Sequence, residues 1–124
     1  MPLPSFGREQ ARAACADQTG SEESHPFGDQ SAVFKIRGKV FAVVNLDKDP
    51  SYLTVKIDPS YAEALVAEYE SIRPGYHVNK RHWVTATLDG TVPPRLLREL
   101  VEDSCDLVVS KLPMKDRPLS PRGE

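Results

Sequence analysis

The sequence predicts an α+β domain: a two-layer fold with an antiparallel five-stranded sheet and helices on one face, in the order α-β-β-β-α-β-β-α. Three observations predict it. Short runs rich in β-branched and aromatic residues, at 32–36, 40–46 and 52–57, are joined by turns short enough for antiparallel pairing. Two longer stretches, over 59–71 and 94–112, repeat apolar residues at helical spacing. The chain has 124 residues, 40% of them hydrophobic, which suits one core and leaves little room for a second domain. Residues 1–113 therefore read as one domain with 1–5 frayed, and 114–124 as a polar, Pro-containing, disordered tail.

A first helix is expected over 7–17, where Ala11, Ala14 and Cys15 form a narrow apolar stripe among Arg8, Glu9 and Arg12. Residues 19–30 are turn-rich. Asp17, Glu22, Glu23 and Asp29 make this the acidic side of the molecule, opposite the basic hairpins, and Phe27 is expected to tuck into the core. Strands follow at 32–36 and 40–46, joined by Gly38-Lys39 as a two-residue type II′ turn with Gly first. After a loop marked by Pro50, a third strand alternates Leu53, Val55 and Ile57 with Thr54 and Lys56.

Asp58-Pro59 starts a helix, because the carboxylate accepts from an orphan N–H and Pro fits the first helical position. Ala62, Leu65, Val66 and Tyr69 form its inner face. It is expected to end near Ser71, before an Arg73-Pro74-Gly75 turn. Two further strands, 76–78 and 83–88, with Asn79-Lys80 as their loop, set His77 opposite His82 and Tyr76 opposite Trp83; exposed, these two rings would stack on bases, but the expectation is a cross-strand core pair with Trp83 largely buried. Pro93-Pro94 opens the last helix. Leu97, Leu100, Val101, Ser104, Cys105, Val108 and Leu112 line its inner face, and Pro113 ends it.

A net charge of −2 argues against a protein that coats nucleic acid through its overall field and leaves room for a local basic patch, so the distribution of charge matters more than the total. No apolar run is long enough to span a bilayer, and the first residues lack the features of a signal peptide. The expected location is cytoplasmic, with no membrane partner. Cys15 and Cys105 then read as reduced, packed thiols; neither has a second cysteine near it at zinc-ligand spacing. The most unusual stretch is 73–83, Arg-Pro-Gly-Tyr-His-Val-Asn-Lys-Arg-His-Trp, with Arg73, Lys80 and Arg81, two histidines, the chain's only Trp and no acid.

This stretch, together with His25-Pro26-Phe27-Gly28, Val33-Phe34-Lys35-Ile36, Gly38-Lys39-Val40-Phe41-Ala42, Lys56-Ile57-Asp58-Pro59 and Leu107-Val108-Val109-Ser110-Lys111-Leu112-Pro113, resembles the MmcQ/YjbR family of small bacterial proteins. The likeness runs from about residue 24 to 113. It implies a DNA-binding "double wing" of two β-hairpins on a fold similar to CyaY and the type III secretion chaperones. Three positions depart from the family pattern. Asp17-Gln18-Thr19-Gly20 replaces a common Leu-Pro-Gly, Ile57 stands where a Cys is common, and Cys105 where a Tyr is common.

The candidate contacts are Lys35, Arg37 and Lys39 on one hairpin, and Arg73, His77, Asn79, Lys80, Arg81 and His82 on the other. Lys and Arg at hairpin tips grip phosphates by releasing counterions. They also serve solubility and block edge pairing, which is the plainer reading. His77 and His82 have no obvious third ligand except His25 or a distant acid, so no metal is expected. No phosphate loop, nucleophile elbow or His-Glu-x-x-His helix is present, so neither catalysis nor a cofactor is expected. The expectation is a monomeric, non-enzymatic module that binds DNA weakly and in a salt-dependent way. The alternative is a protein-interaction or chaperone-like domain that uses the open sheet face.

Overall fold

The computed structural model describes residues 6–75 and 82–117. Helix α1 (Arg8–Ala16) is followed by four strands: β1 (Glu22–Ser24), β2 (Ser31–Ile36), β3 (Lys39–Asn45) and β4 (Tyr52–Lys56). Helix α2 (Pro59–Glu68), strands β5 (Ile72–Pro74) and β6 (Trp83–Thr87), and the long helix α3 (Pro94–Ser110) complete it. The strands form one antiparallel sheet in the order β1-β2-β3-β4-β6-β5. Since β4 and β5 both run antiparallel to β6, they are parallel to each other, and α2 carries the chain over β6 to reach the far edge.

Alternation along the strands sorts the two faces. Ala32, Phe34, Ile36, Ala42, Val44, Leu53, Val55, Ile72, Val84 and Ala86 point to one side. They form one core with Ala11 and Cys15 of α1, Ala62 and Leu65 of α2, and Leu97, Leu100, Val101, Cys105 and Val108 of α3. All three helices therefore cover the same face. Phe41, at an irregularity in β3, joins this core, while the other strand positions, including Val33, Val43, Tyr52 and Trp83, belong to no part of it.

The Asp58-Pro59 signal acts as expected, and α1 has a capping contact of its own. Asp58 accepts from the Ser60 amide at 3.0 Å with Pro59 in the first helical position. Gln10 Oε1 reaches back to accept from the Gly7 amide at 3.0 Å. Phe6 is buried ahead of α1, with the Arg98 guanidinium 5.3 Å from its ring centre.

Several expectations are corrected. The sheet has six strands rather than five. Glu22–Ser24, expected as part of an acidic loop, pairs with β2 in the register Glu22↔Lys35, Glu23↔Phe34 and Ser24↔Val33. Three polar residues carry no periodic signal, and only the neighbouring strand edge organises them. The element order is therefore α-β-β-β-β-α-β-β-α. Phe27 is exposed, not tucked into the core.

The β2–β3 turn is Arg37-Gly38, with φ of 50° and 80°, closed by the Ile36↔Lys39 pair. Two positive φ values make this a type I′ turn, one residue earlier than the expected Gly38-Lys39. α2 stops at Glu68 instead of near Ser71, because burial of Ile72 draws the chain into the sheet. Ile72–Pro74 is strand β5, not a turn; it is an edge strand, where Pro is tolerated. The strand expected at 76–78 and the Asn79-Lys80 loop lie outside the described residues. Past Pro113, where a tail was expected, Met114–Asp116 forms a 3-10 turn.

Candidate nucleic-acid interface

The β2–β3 hairpin carries three of the candidate basic residues. Lys35 lies partly exposed on the open face, Arg37 sits at the turn, and Lys39 starts β3, with both of the last two exposed. Arg37 also has a structural contact: its Nε donates to the carbonyl of Asp116 at 2.9 Å, tying the turn to the segment after α3.

The hairpin is shaped by a bulge. Phe34 pairs with Ala42 and Lys35 with Val40, so Phe41 is the extra residue. It turns into the core, 6.4 Å from the Phe34 ring. Ser104 of α3 resolves the polar groups this leaves: its hydroxyl donates to Phe41 O at 2.5 Å and accepts from the Lys56 amide at 2.9 Å.

Three rows of residues cross the open face. The first runs Glu22, Lys35, Val40, Lys56 and Trp83, with Lys56 directly opposite Trp83. The second runs Ser24, Val33, Val43, Thr54, Thr85 and Arg73. In it Thr54 and Thr85 join hydroxyls at 2.9 Å. The third includes Ser31 opposite Asn45 and Tyr52 opposite Thr87. Trp83, expected to be a buried member of a cross-strand aromatic pair, is partly exposed here, because its neighbours Val84 and Ala86 take the core side. Lys56 and Tyr52 also lie on this face and are not among the candidates named from the sequence. The only available signal was their alternation with Leu53 and Val55.

Arg73, on edge strand β5, is exposed and stands opposite Thr85. It borders a hollow of about 640 Å3 that Glu68, Glu70 and Asp89 also line. It is four strand spacings from β2, roughly 19 Å, so it does not join the β2–β3 cluster. His82 is exposed just before β6, and its carbonyl accepts from the Ile57 amide at 2.9 Å. His77, Asn79, Lys80 and Arg81 lie outside the described residues. β5 ends and β6 begins at the same end of the sheet as the Arg37-Gly38 turn, as the Lys56↔Trp83 pair and the Ala42↔Val55 pair require.

The acid-rich segment does not oppose the basic hairpin, as expected, but lies beside it: strand pairing sets Glu22 across from Lys35. Glu23, on the other face, accepts from Arg12 Nη2 at 2.7 Å and pairs with His25 Nε2 at 2.8 Å, joining α1 to β1. Burial pushes the Glu23 carboxyl up, but these two partners outweigh it and hold it below the ordinary range.

The separation of charge is between layers instead. Lys35, Lys56 and Arg73 on the open face are matched by Glu22 alone among the strand residues there. The helices carry Arg8, Arg12, Arg95 and Arg98 against Glu9, Glu63, Glu68, Glu99, Glu102, Asp103 and Asp106. The buried Cys15 thiol is pushed up to about 12, chiefly by burial and further by Cys105 and Glu23. Among the described residues, no three His, Cys, Asp or Glu side chains gather as a metal site. No helix there is long and apolar enough to cross a membrane.

Known proteins are similar to this chain in sequence and fold. The YjbR family model matches residues 16–107. The chain is 38% identical over 92 residues to the uncharacterized protein YbdF of Escherichia coli O157:H7, covering 74% of this chain and 75% of that one. It is 31% identical over 105 residues to the uncharacterized protein YjbR of Escherichia coli strain K12, covering 85% and 89%. Among solved structures, a Deinococcus radiodurans protein with the domain DUF419 superposes with a TM-score of 0.86 at 37% identity, over 99% of this chain and 97% of that one. A Pseudomonas syringae protein shares the fold with a TM-score of 0.69 at 24% identity, over 82% and 97%. With the match spanning most of the α+β domain, the chain belongs to the YjbR family.

Proposed function

We propose that this protein is a non-enzymatic nucleic-acid-binding module that meets phosphates with the basic end of its sheet. The observation that carries the reading is the separation of charge between layers: a basic-biased sheet and hairpin behind an acid-rich helix layer. In a phosphate field such a molecule turns its sheet toward the polyanion even though its net charge is −2. Arg37 and Lys39 at the β2–β3 turn are the exposed contacts, and Lys35 stands behind them. Lys80 and Arg81, in the connection between β5 and β6, are proposed as the second set on the strength of their sequence.

Exposure favours this reading over a protein-docking sheet. The exposed large apolar residues among those described are Phe27, Tyr61 and Met114. They lie on three separate segments and none is on the open face, whose apolar residues Val40, Val43, Tyr52 and Trp83 are only partly exposed. A sheet that docks a protein carries a continuous apolar patch.

The test is fluorescence anisotropy of a short labelled duplex at roughly 50 and 200 mM salt, a range over which phosphate contacts weaken strongly. Wild type is expected to bind at low salt and release at high salt. Arg37→Ala with Lys39→Ala, and separately Lys80→Ala with Arg81→Ala, are expected to lower the salt slope by about one unit per lost contact. Absence of wild-type binding to any nucleic acid at the lower salt would overturn the reading.

A further inference from the structure

The open face holds more than charge. Trp83 and Tyr52 are both partly exposed on it, outside the core. The ladder places them four residues apart along adjacent strands, Tyr52 opposite Thr87 and Trp83 opposite Lys56. That separation is about 13 Å along the strands. Between them the surface is low, floored by the small, buried pair Thr54 and Thr85. Lys56 stands beside Trp83, and Lys35 lies in the same row.

Two partly exposed rings flanking a low floor, with ammonium groups along one side, offer π-faces and phosphate donors on one broad surface. A paired duplex hides its base faces in the stack and meets a flat sheet only with its backbone. An unpaired strand can splay its bases onto such rings.

Resting on the nucleic-acid reading above, we propose that the open sheet face is a site for single-stranded nucleic acid, with Trp83 and Tyr52 stacking on bases and Lys35 and Lys56 meeting phosphates. The hairpin ends need not read sequence for this; stacking accepts any base.

Trp83 is the chain's only Trp, so its emission reports on this face directly. The full chain is titrated at roughly 50 mM salt with oligothymidylate and, separately, with a duplex of equal length, following Trp83 emission and the anisotropy of the labelled oligonucleotide. The single strand is expected to quench Trp83 and to bind more tightly than the duplex. Trp83→Ala is expected to weaken single-strand binding about tenfold or more, while Trp83→Phe, which keeps a ring, retains most of it. Lys56→Gln, at a partly exposed position that leaves the core intact, is expected to weaken single-strand binding and flatten its salt dependence. Duplex binding with no single-strand binding would overturn this inference and leave the module reading standing. Binding of neither would overturn both. Single-strand binding that leaves Trp83 emission and the Lys56→Gln affinity unchanged would place the site elsewhere and overturn the inference.

Discussion

The Ser104 hydroxyl on α3 donates to the carbonyl of Phe41 at the β3 bulge, 2.5 Å away, and accepts the Lys56 amide of β4 at 2.9 Å. One fully buried hydroxyl thus satisfies two backbone groups that the β3–β4 ladder leaves unpaired. It also locks α3 against the strands that carry Lys39 and Lys56.

Replacing Ser104 with Ala removes both bonds and leaves a buried carbonyl and amide unsatisfied. The expected cost is about 2 kcal/mol or more, within the range for orphaned buried groups. Urea denaturation measures it, with an unchanged slope expected. A loss below about 0.5 kcal/mol, the size of an ordinary surface change, would show that water or a local shift replaces the hydroxyl.

At the β2–β3 turn, stability and binding should separate. Gly38 has a φ of 80°, with open space where a Cβ would stand, so Gly38→Ala costs only backbone strain, about 1 kcal/mol. Arg37, with a φ of 50°, occupies a position that suits Asn better. Arg37→Asn is therefore expected to hold stability within about 0.5 kcal/mol, the usual surface range, the eased backbone offsetting the lost bond to Asp116. The same variant should lower the salt slope of DNA binding by about one unit. An unchanged slope would remove Arg37 from the contact set.

Glu23, Asp58 and Asp89 are all held below the ordinary carboxylate values of 4.5 for Glu and 3.8 for Asp. For Glu23, burial works the other way, but Arg12 and His25 outweigh it. For Asp58 the main cause is the Ser60 hydroxyl, and for Asp89 the Thr91 hydroxyl. A depressed folded value means the unfolded chain takes up protons first. The stability these groups contribute is complete above the ordinary values and is lost as pH falls through the folded ones. Chemical denaturation from pH 7 downward should show the loss setting in below those values. Glu23→Gln should flatten that limb slightly; steepening it would reverse the assigned sign.

Cys15 and Cys105 are buried, and Cys15 is pushed up to about 12 by its burial and by its neighbours Cys105 and Glu23. A thiol-reactive dye at pH 8 should label the native protein at least about a hundredfold more slowly than the urea-unfolded chain, since access requires opening the core. Mass spectrometry of the product follows both sites. Fast native labelling would mean that α1 detaches readily from α3.

Much of this molecule was legible in the chain. Asp58-Pro59 and Pro93-Pro94 mark their helix starts by local chemistry, and the spacing from Leu97 to Val108 fixes which face of α3 is buried. The alternation of Leu53, Thr54, Val55 and Lys56 assigns β4 its two faces. These features depend on neighbours within a turn or two, so the sequence by itself determines them.

What required the tertiary structure depends on partners far along the chain. Glu22–Ser24 is a strand only because β2 offers an unpaired edge, and that pairing brings Glu22 beside Lys35. Ile72–Pro74 is a strand because Ile72 is buried and Pro74 lies on an edge. The turn moved to Arg37-Gly38 because the bulge at Phe41 shifts the register. Trp83 reaches the open face because Val84 and Ala86 are held against the helices. Register and burial are settled by the whole set of long-range contacts at once, and a change of one residue in register exchanges the two faces. The sequence therefore names the basic and aromatic residues, while only the assembled sheet decides which of them share a surface.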